Sequence, residues 1–202
     1  MRARRFAMGL CAGLVFACTV PAVGVGTATF TAVGDLNPAT PNIAEVLPNT
    51  IAVFSIRIST TNPDGFETAD LIIGANGLPG PVDPNFVYDP AWLAAFASVV
   101  SPPIYATGVF GYERLVYVGG GNPTSVGTSL ALGTLSLATT GLVVGDTRTV
   151  KIDSVQDGFS GLSRLGILEG ISGIGTISIV PEPASLALLV LGAGCGLRRR
   201  RR

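Results

Sequence analysis

The sequence predicts a mainly β protein: an antiparallel β-sandwich with one short helix, preceded by a signal peptide and followed by a C-terminal transmembrane helix. Three observations lead there. Seven segments rich in β-branched or aliphatic residues are separated by Gly, Pro, Asn or Asp, which is the spacing of short strands and turns. Only one interior stretch combines helical spacing with a start and a stop signal. An apolar run lies beside a block of arginines at each end of the chain.

Residues 1–28 read as the signal peptide and its cleavage region. Arg2, Arg4 and Arg5 form a basic start, 6–20 is apolar, and Pro21-Ala22 with the small residues after it forms a cleavage neighbourhood. Cleavage after Ala22 or after Ala28 fits equally, and signal peptidase is the expected partner.

Residues 29–179 read as the exported domain. Its strands are expected near 27–33, 50–60, 69–74, 113–118, 129–138, 148–154 and 175–180. Phe54, Ile56 and Ile58 alternate with Val53, Ser55, Arg57 and Ser59, so one face of that strand should enter the core while the other meets solvent. Asn62-Pro63-Asp64-Gly65 is a turn signal. The helix should begin at Asp89, a capping residue, with Pro90 in its first position. Leu93, Phe96, Ala97 and Val100 would form its apolar face before Ser101-Pro102-Pro103 stops it. Gly119-Gly120-Gly121-Asn122-Pro123 reads as a loop.

Residues 180–202 differ from everything before them. Pro181 and Pro183 lack amide protons and hold their φ angles, which biases Glu182 toward an extended backbone open to processing. Residues 184–197 carry no charge, yet as a helix they reach roughly 21 Å against the roughly 30 Å of a bilayer core. Arg198, Arg199, Arg200, Arg201 and Arg202 would anchor this short span on the cytoplasmic side.

The order Val180-Pro181-Glu182-Pro183-Ala184, apolar segment, terminal arginines resembles the PEP-CTERM protein-sorting signal of bacterial exported proteins. The resemblance implies that a membrane-embedded, transpeptidase-like exosortase recognises Pro181, Glu182 and Pro183 and removes the tail, commonly in bacteria that make exopolysaccharide. It further implies a protein held in the membrane by its C-terminal helix before processing, and then on the cell surface or in the extracellular matrix. A second resemblance covers most of the exported domain. The turn and strand from Asp64-Gly65-Phe66 to Ala69-Asp70-Leu71, followed by Leu132-Gly133-Thr134-Leu135 and Asp157-Gly158-Phe159-Ser160, is similar to cohesin-like or carbohydrate-binding β-sandwiches.

Charge and composition narrow the chemistry. The chain has 13 basic and 13 acidic residues, but eight of the arginines lie in the two end segments. The domain between them keeps five basic residues against twelve acids, a net charge of about −7 that disfavours nucleic acid as a partner. Cys11, Cys18 and Cys195 all fall in the end segments, so the domain must stand on its core without a disulfide. Histidine is absent, which removes the commonest general base, a common zinc ligand and the usual triads together.

Asp64, Glu67, Asp70, Asp83, Asp89, Glu113, Asp146, Asp153 and Asp157 could in principle form a glycosidase pair, but no spacing among them selects two. Neither acidic turn has the ligand pattern of an EF-hand, and the glycine runs lack a phosphate-binding fingerprint. No cofactor and no enzymatic activity are expected. Trp92 and Tyr88 stand out as candidate glycan contacts beside Phe86 and Phe96, with core packing as their alternative. The leading expectation is a noncatalytic surface or matrix protein associated with exopolysaccharide. The alternative is a carbohydrate- or protein-binding module of cohesin-like type.

Overall fold

Alternating side chains organise the domain into strands that share one interior. In the computed structural model, residues 24–78 and 84–182 are described. The strands in chain order are β1 (Gly26–Ala32), β2 (Ile43–Val46), β3 (Ile51–Thr60), β4 (Thr68–Asn76), β5 (Asn85–Tyr88), β6 (Ser98–Val99), β7 (Ile104–Val109), β8 (Tyr112–Gly121), β9 (Ser129–Ala138), β10 (Thr147–Asp153), β11 (Gly161–Arg164) and β12 (Ile167–Ile179). Two short helices, α1 (Pro90–Ala95) and α2 (Ser154–Asp157), follow β5 and β10 respectively.

The strands hydrogen-bond in the order β5-β9-β3-β1-β12-β10-β4-β8-β6. Strand β12 holds the two halves together because its early part meets β1 and β11 while its later part meets β10 and β2. Its contacts with β1 and β2 are parallel, so the sandwich is not wholly antiparallel as expected. The close approach of β1 to β12 depends on glycine: a Cβ on Gly173 would lie 1.9 Å from the Ala28 carbonyl oxygen.

One core fills the space between the layers. Phe54, Ile56 and Ile58 of β3 meet Leu71 and Ile73 of β4, Val116 and Val118 of β8, and Leu132, Leu135 and Leu137 of β9 in one buried cluster. The alternation expected along β3 is therefore present, with Ser55 and Arg57 exposed. Asp89 caps α1, accepting from the Ala91 backbone N–H at 2.8 Å, and Pro90 opens the helix. The helix stops at Ala95, earlier than its apolar spacing implied, and it buries Trp92 while Leu93 stays half exposed.

Several expectations are corrected by pairing that local sequence does not encode. β2, β5, β6, β7 and β11 have two to six residues each and form because a neighbouring strand satisfies them. Gly119, Gly120 and Gly121 belong to β8, not to a loop; Gly120 leaves room for Phe96, whose ring carbon would lie 2.7 Å from an added Cβ. β1 begins at Gly26, inside the segment assigned to the signal region. The residues before Gly24 lie outside the described residues.

The expectation of a C-terminal transmembrane helix is also corrected. Among the described residues no helix is long and apolar enough to cross a membrane. The segment expected to span, with Pro183 and Arg198 to Arg202, lies outside the described residues. The fold is a mostly-β sandwich with short helices.

Candidate functional site: the outer face of β4, β8 and β7

A second apolar cluster lies on the solvent side of the sheet, apart from the core. Along β4, Ala69, Leu71, Ile73 and Ala75 enter the core, whereas Ile72 joins Tyr112 and Leu115 of β8 in a separate cluster packed by Ala106 and Tyr117. The strand register explains the grouping, since Ile72 pairs with Tyr117, and Ala106 of β7 with Leu115. Tyr112 lies flat over Gly74, where a Cβ would come within 2.0 Å of its ring, so the glycine makes the ring's seat.

The loop after α2 supplies the other wall. Asp157 is buried and accepts from the backbone N–H groups of Phe159 at 2.8 Å and Ser160 at 2.7 Å, while Ser160 Oγ donates to its second oxygen at 2.7 Å. Ser160 Oγ in turn accepts from the Ile72 N–H at 2.9 Å, fastening the turn to β4. Gly158 takes the left-handed conformation at φ 64°, which a side chain would oppose. The chain reversal brings Phe159 edge-on to Tyr117, with ring centroids 5.6 Å apart.

Ile72, Phe110, Leu115, Tyr117 and Phe159 line a shallow apolar groove of about 140 Å³. Phe110 and Phe159 remain 47% and 45% exposed, so the groove has accessible aromatic rims. At its edge Tyr117 donates to Asp70 at 2.7 Å. Burial, this hydrogen bond and the Asp70 charge push the Tyr117 phenol up to about 12. Burial, with the charges of Asp157 and Asp153, also raises Tyr112, whose buried hydroxyl has no hydrogen-bond partner among the described residues. The groove can hold apolar side chains, and Asp70 and Tyr117 supply polar contacts beside it.

The residues singled out in the sequence lie elsewhere. Trp92 is fully buried and stacks on Phe96 at a 4.6 Å centroid distance, so it offers no face to a sugar. Tyr88 is nearly buried. Its hydroxyl donates to the Val100 carbonyl at 2.8 Å and accepts from the Gly119 N–H at 3.2 Å, latching β5 toward β8. Both are corrected from glycan contacts to packing residues. Pro181 is half-buried and Glu182 exposed just beyond β12, and neither lines the groove.

The acidic residues have structural work in place of catalytic work. Asp89 caps α1, Asp153 caps α2, Asp157 folds the next turn and Asp146 pairs with Arg148. Glu67 accepts from the Leu165 N–H and Glu113 from the Gly77 N–H. Lys151 holds the Asp153 carboxyl below its ordinary value, with the α2 N–H groups adding to the effect. Among the described residues no group of three or more potential protein ligands could hold a metal ion. The chain has no histidine, and its three cysteines, Cys11, Cys18 and Cys195, lie outside the described residues.

Comparison with known proteins defines the fold. A CaCohA2 module, from Clostridium acetobutylicum, in its complex with CaDoc0917 matches with a TM-score of 0.50 and 8% identity, over 77% of this chain and 100% of that one. The seventh ScaB type I cohesin of Pseudobacteroides cellulosolvens gives 0.49 and 8% over 79% and 95%, and a type III cohesin module of Ruminococcus flavefaciens ScaE gives 0.46 and 12% over 86% and 97%. At these identities the likeness is one of fold alone, that of a cohesin-type β-sandwich.

No protein-family model and no curated protein matches the chain. The assignment to the PEP-CTERM sorting family is therefore withdrawn in favour of the cohesin-type fold. With it go the exosortase and signal-peptidase partners, the exopolysaccharide association and the membrane-anchored stage. The tail residues Pro181, Glu182 and Pro183 carry no assigned role.

The groove was missed because its members are scattered over four segments. Ile72, Phe110, Leu115, Tyr117 and Phe159 share no local motif, and only strand register brings them together. The Asp157-Gly158-Phe159-Ser160 stretch was visible as a turn, but its contact with Ile72 was not.

Proposed function

We propose that this is an exported, noncatalytic protein-binding module of cohesin-like architecture that holds its partner on the outer face of β4, β8 and β7. The carrying observation is the apolar groove with two half-exposed aromatic rims, Phe110 and Phe159, on a sheet face otherwise supported by a fixed turn. A rigid scaffold with exposed aromatics suits a partner that inserts apolar side chains. The CaCohA2 module has CaDoc0917 as a complex partner, and a module of dockerin type is the partner class assigned here.

Export rests on the basic and apolar leader pattern within 1–23 and on a domain that needs no reduced thiol. The folded module then begins near Gly24 and runs through β12, instead of beginning at residue 29.

The test is a titration of the chain against immobilised dockerin modules and, in parallel, soluble glycans. Saturable binding to a dockerin module that is lost in Phe159→Asp and Phe110→Asp but kept in Thr29→Asp is expected. Binding to glycans alone, or protein binding indifferent to the two phenylalanines, would overturn the reading.

A further inference from the structure

The end of β4 carries a chemistry that neither the core nor the groove uses. Asn76 closes the strand and Gly77 follows it, the one Asn-Gly pair in the sequence. An asparagine side-chain amide can be attacked by the backbone nitrogen of the next residue, provided that residue has an N–H to give up and no side chain in the way. Asn37, Asn62 and Asn122 all precede proline, which has no such N–H, and Asn42, Asn49 and Asn85 precede Ile43, Thr50 and Phe86. Only Asn76 meets both conditions.

Strand β8 brings a single residue to both ends of that reaction. The Gly77 N–H donates to Glu113 Oε2 at 2.6 Å, and Asn76 Oδ1 accepts from the Glu113 backbone N–H at 2.8 Å. The carboxylate therefore sits on the nucleophile, and the backbone N–H on the oxygen where negative charge develops. Neighbouring strands hold the arrangement: β4 pairs with β8 as far as Ala75 and Arg114, and with β10 at Asn76 and Thr149. Arg148 Nε donates to the Gly77 carbonyl from the other side. Hydrogen bonds along a segment ordinarily slow such a closure by fixing the chain, but these two go to the atoms whose charges change.

We propose that Asn76-Gly77 is a self-modification site, at which Glu113 promotes conversion of Asn76 to a cyclic imide and then to aspartate or isoaspartate. Glu113 Oε2 takes the Gly77 proton as the nitrogen electron pair forms a bond to Asn76 Cγ. The carbonyl electrons move to Oδ1, where the Glu113 N–H holds the charge. The carbonyl then re-forms, the Cγ–Nδ2 bond breaks, and Nδ2 leaves as ammonia with the proton that Glu113 carried. Water opens the imide at either of its carbonyls. The chain acts once on itself, gains a negative charge beside Glu113, and turns over no outside substrate.

The full chain is incubated near neutral pH, digested and read by mass spectrometry, which separates the Asn, Asp and isoaspartate forms of the peptide containing residue 76. Asn76 in the folded chain should convert at least ~tenfold faster than in the same chain unfolded in urea. Glu113→Gln, whose side-chain carbonyl can still accept from the Gly77 N–H, should slow the folded rate at least ~tenfold, with a melting curve to show that it is folded. A second readout needs no variant. A base held in place leaves the folded rate nearly level between about pH 6 and 8, whereas the unfolded rate climbs with hydroxide. A folded chain that converts no faster than the unfolded one, a folded Glu113→Gln chain that converts unchanged, or a folded rate that climbs as steeply with pH would each overturn the proposal.

Discussion

The two outer faces of the sandwich are built by the same alternation and differ in what it leaves outside. On β1 and β3 the outward positions are Thr27, Thr29, Thr31, Ser55, Arg57 and Ser59, paired as Thr27 with Ser59, Thr29 with Arg57 and Thr31 with Ser55. On β4 and β8 they include Ile72, Leu115 and Tyr117, joined by Ala106 of β7. The first face presents hydroxyls and makes short contacts within itself, such as Ser59 Oγ donating to the Thr27 carbonyl. The second hides its apolar area under Phe159 and Phe110 and still leaves them half exposed. A period-two pattern thus sets which residues point outward, and the identity of those residues decides whether a face is finished or open for docking.

The comparison should vanish on the inner side, where both layers share a core. Phe54→Ala, beneath the hydroxyl face, should cost about 3–5 kcal/mol, and Ile73→Ala, beneath the apolar face, about 2–5 kcal/mol. Chemical denaturation measures both. A small loss at one of them alone would mean that the layers do not share a single core.

A sharper contrast comes from Tyr112, whose ring belongs to the apolar face and whose buried hydroxyl finds no partner there. Tyr112→Phe should keep the packing over Gly74 and raise stability by about 1 kcal/mol, since an unsatisfied polar group is removed. A loss of stability in the same denaturation experiment would show that the hydroxyl is bonded in solution.

The faces should also separate at alkaline pH. Tyr117 keeps its proton to about 12 in the folded state, above its ordinary value near 10. The unfolded chain ionises first, so the stability Tyr117 contributes is complete below about pH 10 and drains away as pH rises toward 12. Thermal melting across that window should show a falling midpoint, less steep in Tyr117→Phe. An identical slope in both proteins would remove Tyr117 as its source.

The smallest effects are expected at the exposed positions themselves. Thr29→Asp, at an exposed position, should change stability by no more than about 0.5 kcal/mol, and Phe159→Asp, which loses the edge-on contact with Tyr117, by about 0.5–1.5 kcal/mol. Differential scanning calorimetry of the pair tells whether the partner-binding loss expected for Phe159→Asp reflects the face and not the fold. A large drop in melting temperature for Phe159→Asp would make that aromatic a structural residue.

Much of the framework was legible in the residues, and for a common reason. The expected span 129–138 coincides with β9, and the strand around Phe54, Ile56 and Ile58 has the inward face its alternation implied. Asp89 and Pro90 start α1 as their chemistry requires, since a short carboxylate satisfies a free N–H and proline needs none. These are local effects, expressed within a few residues along the chain.

What depended on distant neighbours was not legible. Tyr88 and Trp92 look like exposed aromatics in sequence, yet one latches two strands and the other fills the core, because α1 packs inward beside Phe96. The triple glycine becomes a strand through its pairing with β4 and β6, and the parallel contact of β1 with β12 joins residues almost 150 positions apart. By itself the sequence determined a β-rich, acidic domain without histidine or thiol chemistry, since composition and alternation act residue by residue. Only the tertiary structure decided that Ile72, Phe110, Leu115, Tyr117 and Phe159 share one groove, because that follows from strand order and register, which are properties of the folded chain.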